Sequence, residues 1–333
     1  MKGTVAGKRG AWRAAQAIRA DTRSGATALT VRAGAALRSL AAEAEAEGRL
    51  DAALLTDAAL ALVRAQPAMA SICRLGAAVL AAASGQPRAA SVAAAVATFD
   101  EQSTADAAAV VSRAVALLPD GGRVLTLSAS SLVERALLAA QGAGRRLGVV
   151  CLESRPRREG AALAARLADA GLPTELWIDA AAARCLAAAQ VVLVGADTVA
   201  PAGLVHKLGT LGLAIAARHE GVPVYALAGA SKLLPRLVAG ALTQRRPASE
   251  LARGARRNLR VANYYYDLTP LALLDGVVVG ADLCSPEQAA AAAAAVHLPA
   301  ALTAALAAAD ESPVPAPESG VNADPARRSD DER

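Results

Sequence analysis

Over the first third of the chain, apolar residues recur every three to four positions. Ile18, Leu29, Val31, Leu37 and Leu40 fall at helical spacing, and Leu54, Leu60, Leu62 and Val63 continue it. Ser24-Gly25 interrupts the first of these segments and Gln66-Pro67 the third, while strand-like alternation is absent before Leu118. The pattern predicts an all-helical N-terminal domain over residues 15–118. From Gly121 the texture changes. Short β-branched runs (Val124–Leu127, Val149–Leu152, Leu176–Ile178, Val191–Val194, Val222–Leu227 and Val277–Val279) alternate with helical stretches such as Ser131–Gln141, Arg157–Ala170 and Lys207–Glu220. Apolar strands separated by helices predict an α/β domain over residues 119–308, built on a doubly wound parallel sheet. Residues 1–14 are expected to be a flexible N-terminus. Residues 309–333, rich in Pro, Ser, Asp and Glu without apolar period, are expected to be a disordered acidic tail.

Composition sharpens this picture in a few places. The formal net charge is only +5, but just four of the 35 basic residues are lysines: Lys2, Lys8, Lys207 and Lys232. In a chain this rich in Arg and Ala, which suggests GC-rich coding, a retained lysine points to a site where a compact ammonium is needed. Cys73, Cys151, Cys185 and Cys284 are widely spaced, and His206, His219 and His297 show no ligand spacing. Reduced thiols and a cytoplasmic location are therefore expected, with no metal. No apolar run is long enough to span a membrane, and the basic start of the chain lacks the apolar core of a secretion signal. Seven arginines and one acid, Glu250, lie between Arg236 and Arg260. Without interleaved aromatics this stretch reads as a solvated helix face or subunit contact before it reads as a phosphate or nucleic-acid strip, so nucleic acid is not an expected partner.

Ligands of doubly wound sheets bind outside the carboxyl ends of the strands, so the residues that follow each apolar run are the candidates for chemistry. Arg155, after the second run, is a candidate guanidinium fork for phosphate, or else an ion-pair partner of Glu153. Asp197 ends the strand Val192–Gly195, where it is a candidate site carboxylate or a helix cap, and His206-Lys207 follows within one short loop. Lys232 supplies a cation after the next strand. Basic groups around one aspartate describe a pocket for a phosphorylated small molecule. No Walker loop, G-x-G-x-x-G or nucleophile elbow is present, and no dinucleotide cofactor is indicated.

Several motifs come in one familiar order: Ser24-Gly25-Ala26, Gln66-Pro67-Ala68-Met69-Ala70, Glu153-Ser154-Arg155-Pro156, Leu193-Val194-Gly195-Ala196-Asp197, His206-Lys207-Leu208-Gly209-Thr210, Ser231-Lys232 and Tyr266-Asp267-Leu268-Thr269-Pro270. Together they resemble the translation initiation factor 2B α/β/δ family, which also holds ribose-1,5-bisphosphate and methylthioribose-1-phosphate isomerases. The match runs over roughly residues 15 to 300. The resemblance implies a helical N-terminal domain, a Rossmann-like C-terminal domain and a homodimer or higher homo-oligomer. For the isomerases it implies aldose-to-ketose conversion without a metal or nucleotide cofactor. By motif position, Asp197 matches the family's catalytic aspartate, Arg155 and Lys232 its phosphate or sugar contacts, Lys207 the lysine of Asn-Lys-x-Gly-Thr, and Gly25 and Ala26 the loop that closes over the ligand.

The departures decide the functional expectation. The isomerases' Thr-His-Cys-Asn reads Thr126-Leu127-Ser128-Ala129 here, so Ser128 stands in place of the catalytic thiol, and His206 stands in place of the motif's asparagine. A serine hydroxyl does not exchange a proton near neutrality without a partner base, whereas a thiol of pKa about 8.5 does. The leading expectation is a non-catalytic or regulatory protein that binds a phosphorylated sugar or nucleotide. An isomerase using Asp197 with Ser128 or His206 comes second, and a guanine-nucleotide exchange subunit third. Cys151 reads as a core thiol, and the Asp267-Leu268-Thr269-Pro270 region with its apolar neighbours Leu271, Leu273 and Leu274 as a subunit contact.

Overall fold

In the computed structural model of the protein, residues 6–254, 256 and 258–304 are described. The N-terminal part is helical: α1 (Ala6–Ala20), α2 (Ala26–Ala46), α3 (Ala52–Ala65), α4 (Ala70–Ala82) and the long α5 (Ala89–Leu117). Helix α1 thus starts inside the stretch expected to be flexible, whose first five residues lie outside the described residues, as does the 309–333 tail. Asp51 caps α3 by accepting from the Leu54 amide at 2.7 Å. The helices pack through Leu29, Leu37, Leu55, Ile72 and Leu75, all essentially inaccessible to solvent, and burying each such side chain contributes about 1.5–3 kcal/mol.

The remainder runs β1 (Arg123–Leu127), α6 (Ser131–Gly142), β2 (Gly148–Leu152), α7 (Glu159–Asp169), β3 (Thr174–Trp177), α8 (Ala182–Leu186), β4 (Val191–Gly195), β5 (Thr198–Ala200), β6 (Gly203–Lys207), α9 (Thr210–Glu220), β7 (Val224–Ala228), β8 (Tyr266–Thr269), β9 (Gly276–Val279), β10 (Asp282–Cys284) and α10 (Pro286–Ala294). Seven strands form one sheet in the order β10-β9-β7-β4-β1-β2-β3. All pairs are parallel except β9 with β10.

Alternation along each strand sends side chains to two cores. Leu125, Leu127, Val192 and Val194 join α8, α9 and α10 on one face. Val124, Cys151, Val191 and Leu193 join α6, α7 and the C-terminal half of α5 on the other. Helix α5 belongs to both domains, since Val92 and Val96 lie in the helical core while Val110 and Ala114 lie against the sheet. It is the spine that fixes one domain to the other.

Several expectations are corrected here. The helix expected from Lys207 starts at Thr210, because residues 203–207 form strand β6 of a separate three-stranded antiparallel sheet, β5-β6-β8. Leu176 and Ile178 are not buried: β3 is the sheet edge, and they are 48% and 60% exposed. The basic stretch 236–260 is not a helix face. Its described residues form turns and a single 3-10 turn at Ala248–Glu250, and Arg246 is buried inside. Leu271 and Leu274, read as a subunit contact, pack into the chain's own core. Among the described residues no helix is long and apolar enough to cross a membrane.

Candidate functional site

The strand order reverses between β1 and β4: the chain winds outward from β1 to β3, then returns to β4 on the other side of β1. Such a switch point leaves a crevice beyond the strand ends. Here the crevice is a cavity of about 430 Å³, roofed by the Thr22–Ala28 segment of the helical domain. Of the residues singled out from sequence, Gly25, Ala26, Ser128, Asp197, His206, Lys207 and Lys232 line it; Arg155 does not. A larger cavity of about 640 Å³ lies among α1, α2 and α3, with a mainly apolar lining and none of the strand-end groups. The chemistry is concentrated in the smaller one.

The roof is held in place by Asp21, which accepts from the amides of Arg23 and Ser24, both at 2.8 Å, and from the Ser24 hydroxyl at 2.7 Å. Burial raises its pKa, but these bonds and Arg32 outweigh burial and bring the carboxyl down to about 2. The Gln66–Ala70 loop ties the helical domain to the floor. The Ala70 amide donates to Asp197 O at 3.0 Å, and Thr198 Oγ1 donates to Ala68 O at 2.9 Å.

The floor is made by β4 and the small sheet. Asp197 leads into β5, not into a helix, so it is not the helix cap that its position also allowed. Burial pushes its carboxyl up to about 6; Lys232 and Lys207 pull it down, and Glu159 adds to the rise. Gly195 before it admits no side chain, since a Cβ there would lie 2.6 Å from Ser130 Cβ and 3.3 Å from His206 Nε2.

Strand β6 carries His206 and Lys207 into the site, in register with Asp267 and Tyr266 of β8. His206 Nδ1 lies 3.0 Å from Thr210 Oγ1, and that hydroxyl donates its only proton to Lys207 O at 2.6 Å. Thr210 therefore accepts from His206, which puts the imidazole proton on Nδ1 and leaves Nε2 as an acceptor. Burial, with Lys207 and Lys232 nearby, lowers the imidazole pKa to about 3. His206 thus favours its neutral form. The Lys207 side chain is only 3% exposed; its Nζ lies 2.6 Å from Glu159 Oε1 and 5.1 Å above the Tyr265 ring. Lys232 ends a 3-10 turn clamped by Asp106, whose Oδ2 accepts from the Ala230 amide at 2.6 Å. Burial lowers the Lys232 pKa, with Asp197 opposing.

The opposite wall is the turn after β1. Ser128 has φ +72°, a left-handed conformation uncommon outside glycine, and its amide donates to Ser154 Oγ at 2.8 Å. The N-terminus of α6 follows, capped by Ser130. No thiol lines the cavity. Cys151, one strand away, faces the α5–α6 core, where burial pushes its thiol up to about 12.

Arg155 is exposed. Its amide, like that of Ser154, donates to the Asp179 carboxylate, at 2.6 and 2.7 Å. Glu153 pairs not with Arg155 but with Arg158, at 3.2 Å. The arginines that line the cavity are Arg23, Arg157 and Arg166, with Arg157 5.8 Å from the Tyr265 ring centroid and Arg166 paired with Glu134. Sequence reasoning missed Arg157, Glu159, Tyr265 and Tyr266 as lining residues. The available signal was the run of charges after Pro156, where successive residues of a tight turn point in different directions.

These features have relatives. The model of the initiation factor 2 subunit family matches residues 22–281. Ribose 1,5-bisphosphate isomerase of Haloterrigena turkmenica is 34% identical over 185 residues, 51% of this chain and 57% of that protein. Methylthioribose-1-phosphate isomerase of Gemmatimonas aurantiaca is 34% identical over 192 residues, 54% of this chain and 56% of that protein. The chain thus spans little more than half the length of these curated relatives. The crystal structure described as translation initiation factor eIF-2B of Pyrococcus horikoshii has a TM-score of 0.72 at 28% identity, covering 83% of this chain and 97% of that one. With the family model matched over most of its length, on the same helical and parallel-sheet architecture, the chain belongs to the initiation factor 2 subunit family.

Proposed function

We propose that this protein binds a phosphorylated sugar or nucleotide in the switch-point cavity and does not turn it over by the family's thiol chemistry. The observation that carries the reading is the contrast within one cavity: Arg157, Lys207 and Lys232 line it, yet Ser128 stands where a thiol is needed and no cysteine reaches it. Cations grouped around one cavity favour a dianion. Helix α6 begins at the same wall and adds the favourable end of its dipole. The names of the isomerase relatives point to sugar phosphates as the ligand class.

A second reading, an isomerase using Asp197, draws support from a carboxyl raised to about 6. A carboxylate of that pKa exchanges a proton near neutrality. It lacks a partner acid, because Ser128 is bonded to no titratable group and His206 is a neutral acceptor. Isothermal titration with ribose 1,5-bisphosphate, methylthioribose 1-phosphate and AMP tests the binding reading. Saturable binding of at least one, abolished or strongly weakened in Lys232→Ala, is expected. Absence of binding by all three contradicts it.

A further inference from the structure

Glu159 is a carboxylate in the middle of a cationic cavity. Its place is fixed by the backbone. It opens α7, and the following Gly160 presses so closely on β2 that a Cβ there would lie 1.8 Å from Leu152 O. Any side chain at 160 would shift the helix start, so the glycine sets where Glu159 points. Its Oε1 lies 2.6 Å from Lys207 Nζ, while Oε2 is buried without a hydrogen-bond partner. Lys207 is buried and stacked over Tyr265, and a ligand meets it through the cavity it lines. Arg157, also over that ring, has a buried Nη1 without a hydrogen-bond partner. A carboxylate paired with a buried ammonium, on the first residue of a helix, occupies the kind of seat that phosphate oxygens take.

Resting on the sugar-phosphate reading, we propose that Glu159 is a built-in counter-anion, a specificity-determining residue that holds the phosphate subsite until a stronger anion displaces it. Two consequences follow. Affinity is set by competition between Glu159 and the ligand for Lys207, so the cavity discriminates for dianions, which outcompete a single carboxylate, and against monoanions. The empty site also avoids leaving Lys207 as an uncompensated buried charge, which would be costly. The free protein therefore keeps its cations in place at the expense of affinity.

The test uses the full chain, wild type and Glu159→Gln, with ribose 1,5-bisphosphate and inorganic phosphate as probes and chloride at matched ionic strength as control. The variant is expected to bind ribose 1,5-bisphosphate at least tenfold more tightly than wild type. Its melting temperature should fall without phosphate and recover with phosphate but not with chloride. Should Glu159→Gln not fold, Glu159→Asp retains the charge on a shorter arm, and a tightening in the same direction is expected. Binding by wild type with equal or weaker binding by the variant overturns the counter-anion and leaves the sugar-phosphate reading standing. No sugar-phosphate binding by wild type, together with phosphate-specific rescue of Glu159→Gln, overturns the functional reading and supports the counter-anion. No response in either protein overturns both.

Discussion

On one side of the switch point the turn after β1 offers hydroxyls and a helix N-terminus, with Ser128, Ser130 and Ser131 and no group that titrates near neutrality. On the other side β4 and β6 offer Asp197, His206 and Lys207, with Lys232 beside them. The same wall carries Glu134, which pairs with Arg166 at 2.7 Å, and both line the cavity. The second wall holds a carboxyl, Asp197, that burial raises, and an imidazole and an ammonium, His206 and Lys232, that burial lowers. In the isomerases that the family resemblance brings in, both walls take part, one with a thiol and one with an aspartate. Here Asp197 and the cations line the cavity while no cysteine does. The proposed binding without turnover rests on the two walls being built from different strand ends.

The largest effect is expected where the second wall is most buried. Lys207→Met leaves Glu159 without its partner and should cost about 3 kcal/mol or more in a urea unfolding experiment, the scale of a broken buried pair. Next, Arg157→Ala and Lys232→Ala should each weaken ribose 1,5-bisphosphate binding by about 2–3 kcal/mol, the scale of a charge-assisted contact. Arg155→Ala should stay within about 0.5 kcal/mol of wild type, as for a surface substitution. Equal losses in Arg155→Ala and Arg157→Ala would place the ligand outside this cavity.

A pH profile sharpens the contrast further. Asp197 is raised in the folded protein from 3.8 to about 6, so between these values the folded state binds more protons than the unfolded one. Its contribution to stability therefore falls as pH rises through that window, by on the order of 3 kcal/mol, and is level above it. Subtracting the profile of Asp197→Asn from wild type should isolate this slope; the Ser wall, tested with Ser128→Ala, should contribute none. A smaller effect belongs to that wall. Ser128→Gly relieves a left-handed serine at φ +72° and should stabilise the fold by roughly 0.5–1 kcal/mol in the same denaturation assay.

The periodicities of the chain were enough to read the helical domain, the parallel strands and the strand-end location of the site, because burial on two faces leaves unbroken apolar runs. The small sheet was not legible. Strands of three to five residues, such as Thr198–Ala200 and Gly203–Lys207, lie next to a helical pattern, and the apolar period of α9 absorbed Lys207. Which arginine lines the cavity was not legible for a related reason. Arg155 and Arg157 differ by two positions in a turn containing two left-handed residues, Ser154 and Arg158, and only the backbone path decides which one faces inward. Glu159 looked like an ordinary first-turn acid, since its partner Lys207 is far away in sequence. Asp197 and Lys232 were found because a charge directly after a buried strand has few places to go.

Phosphorus NMR of the wild-type protein with ribose 1,5-bisphosphate, followed for hours, tests the separation of binding from turnover most directly. Broadening of the substrate resonances with no new ketose-phosphate signal is the expected result. Appearance of a ketose phosphate in wild type, lost in Asp197→Asn, would contradict it and make this chain an isomerase that works without a thiol.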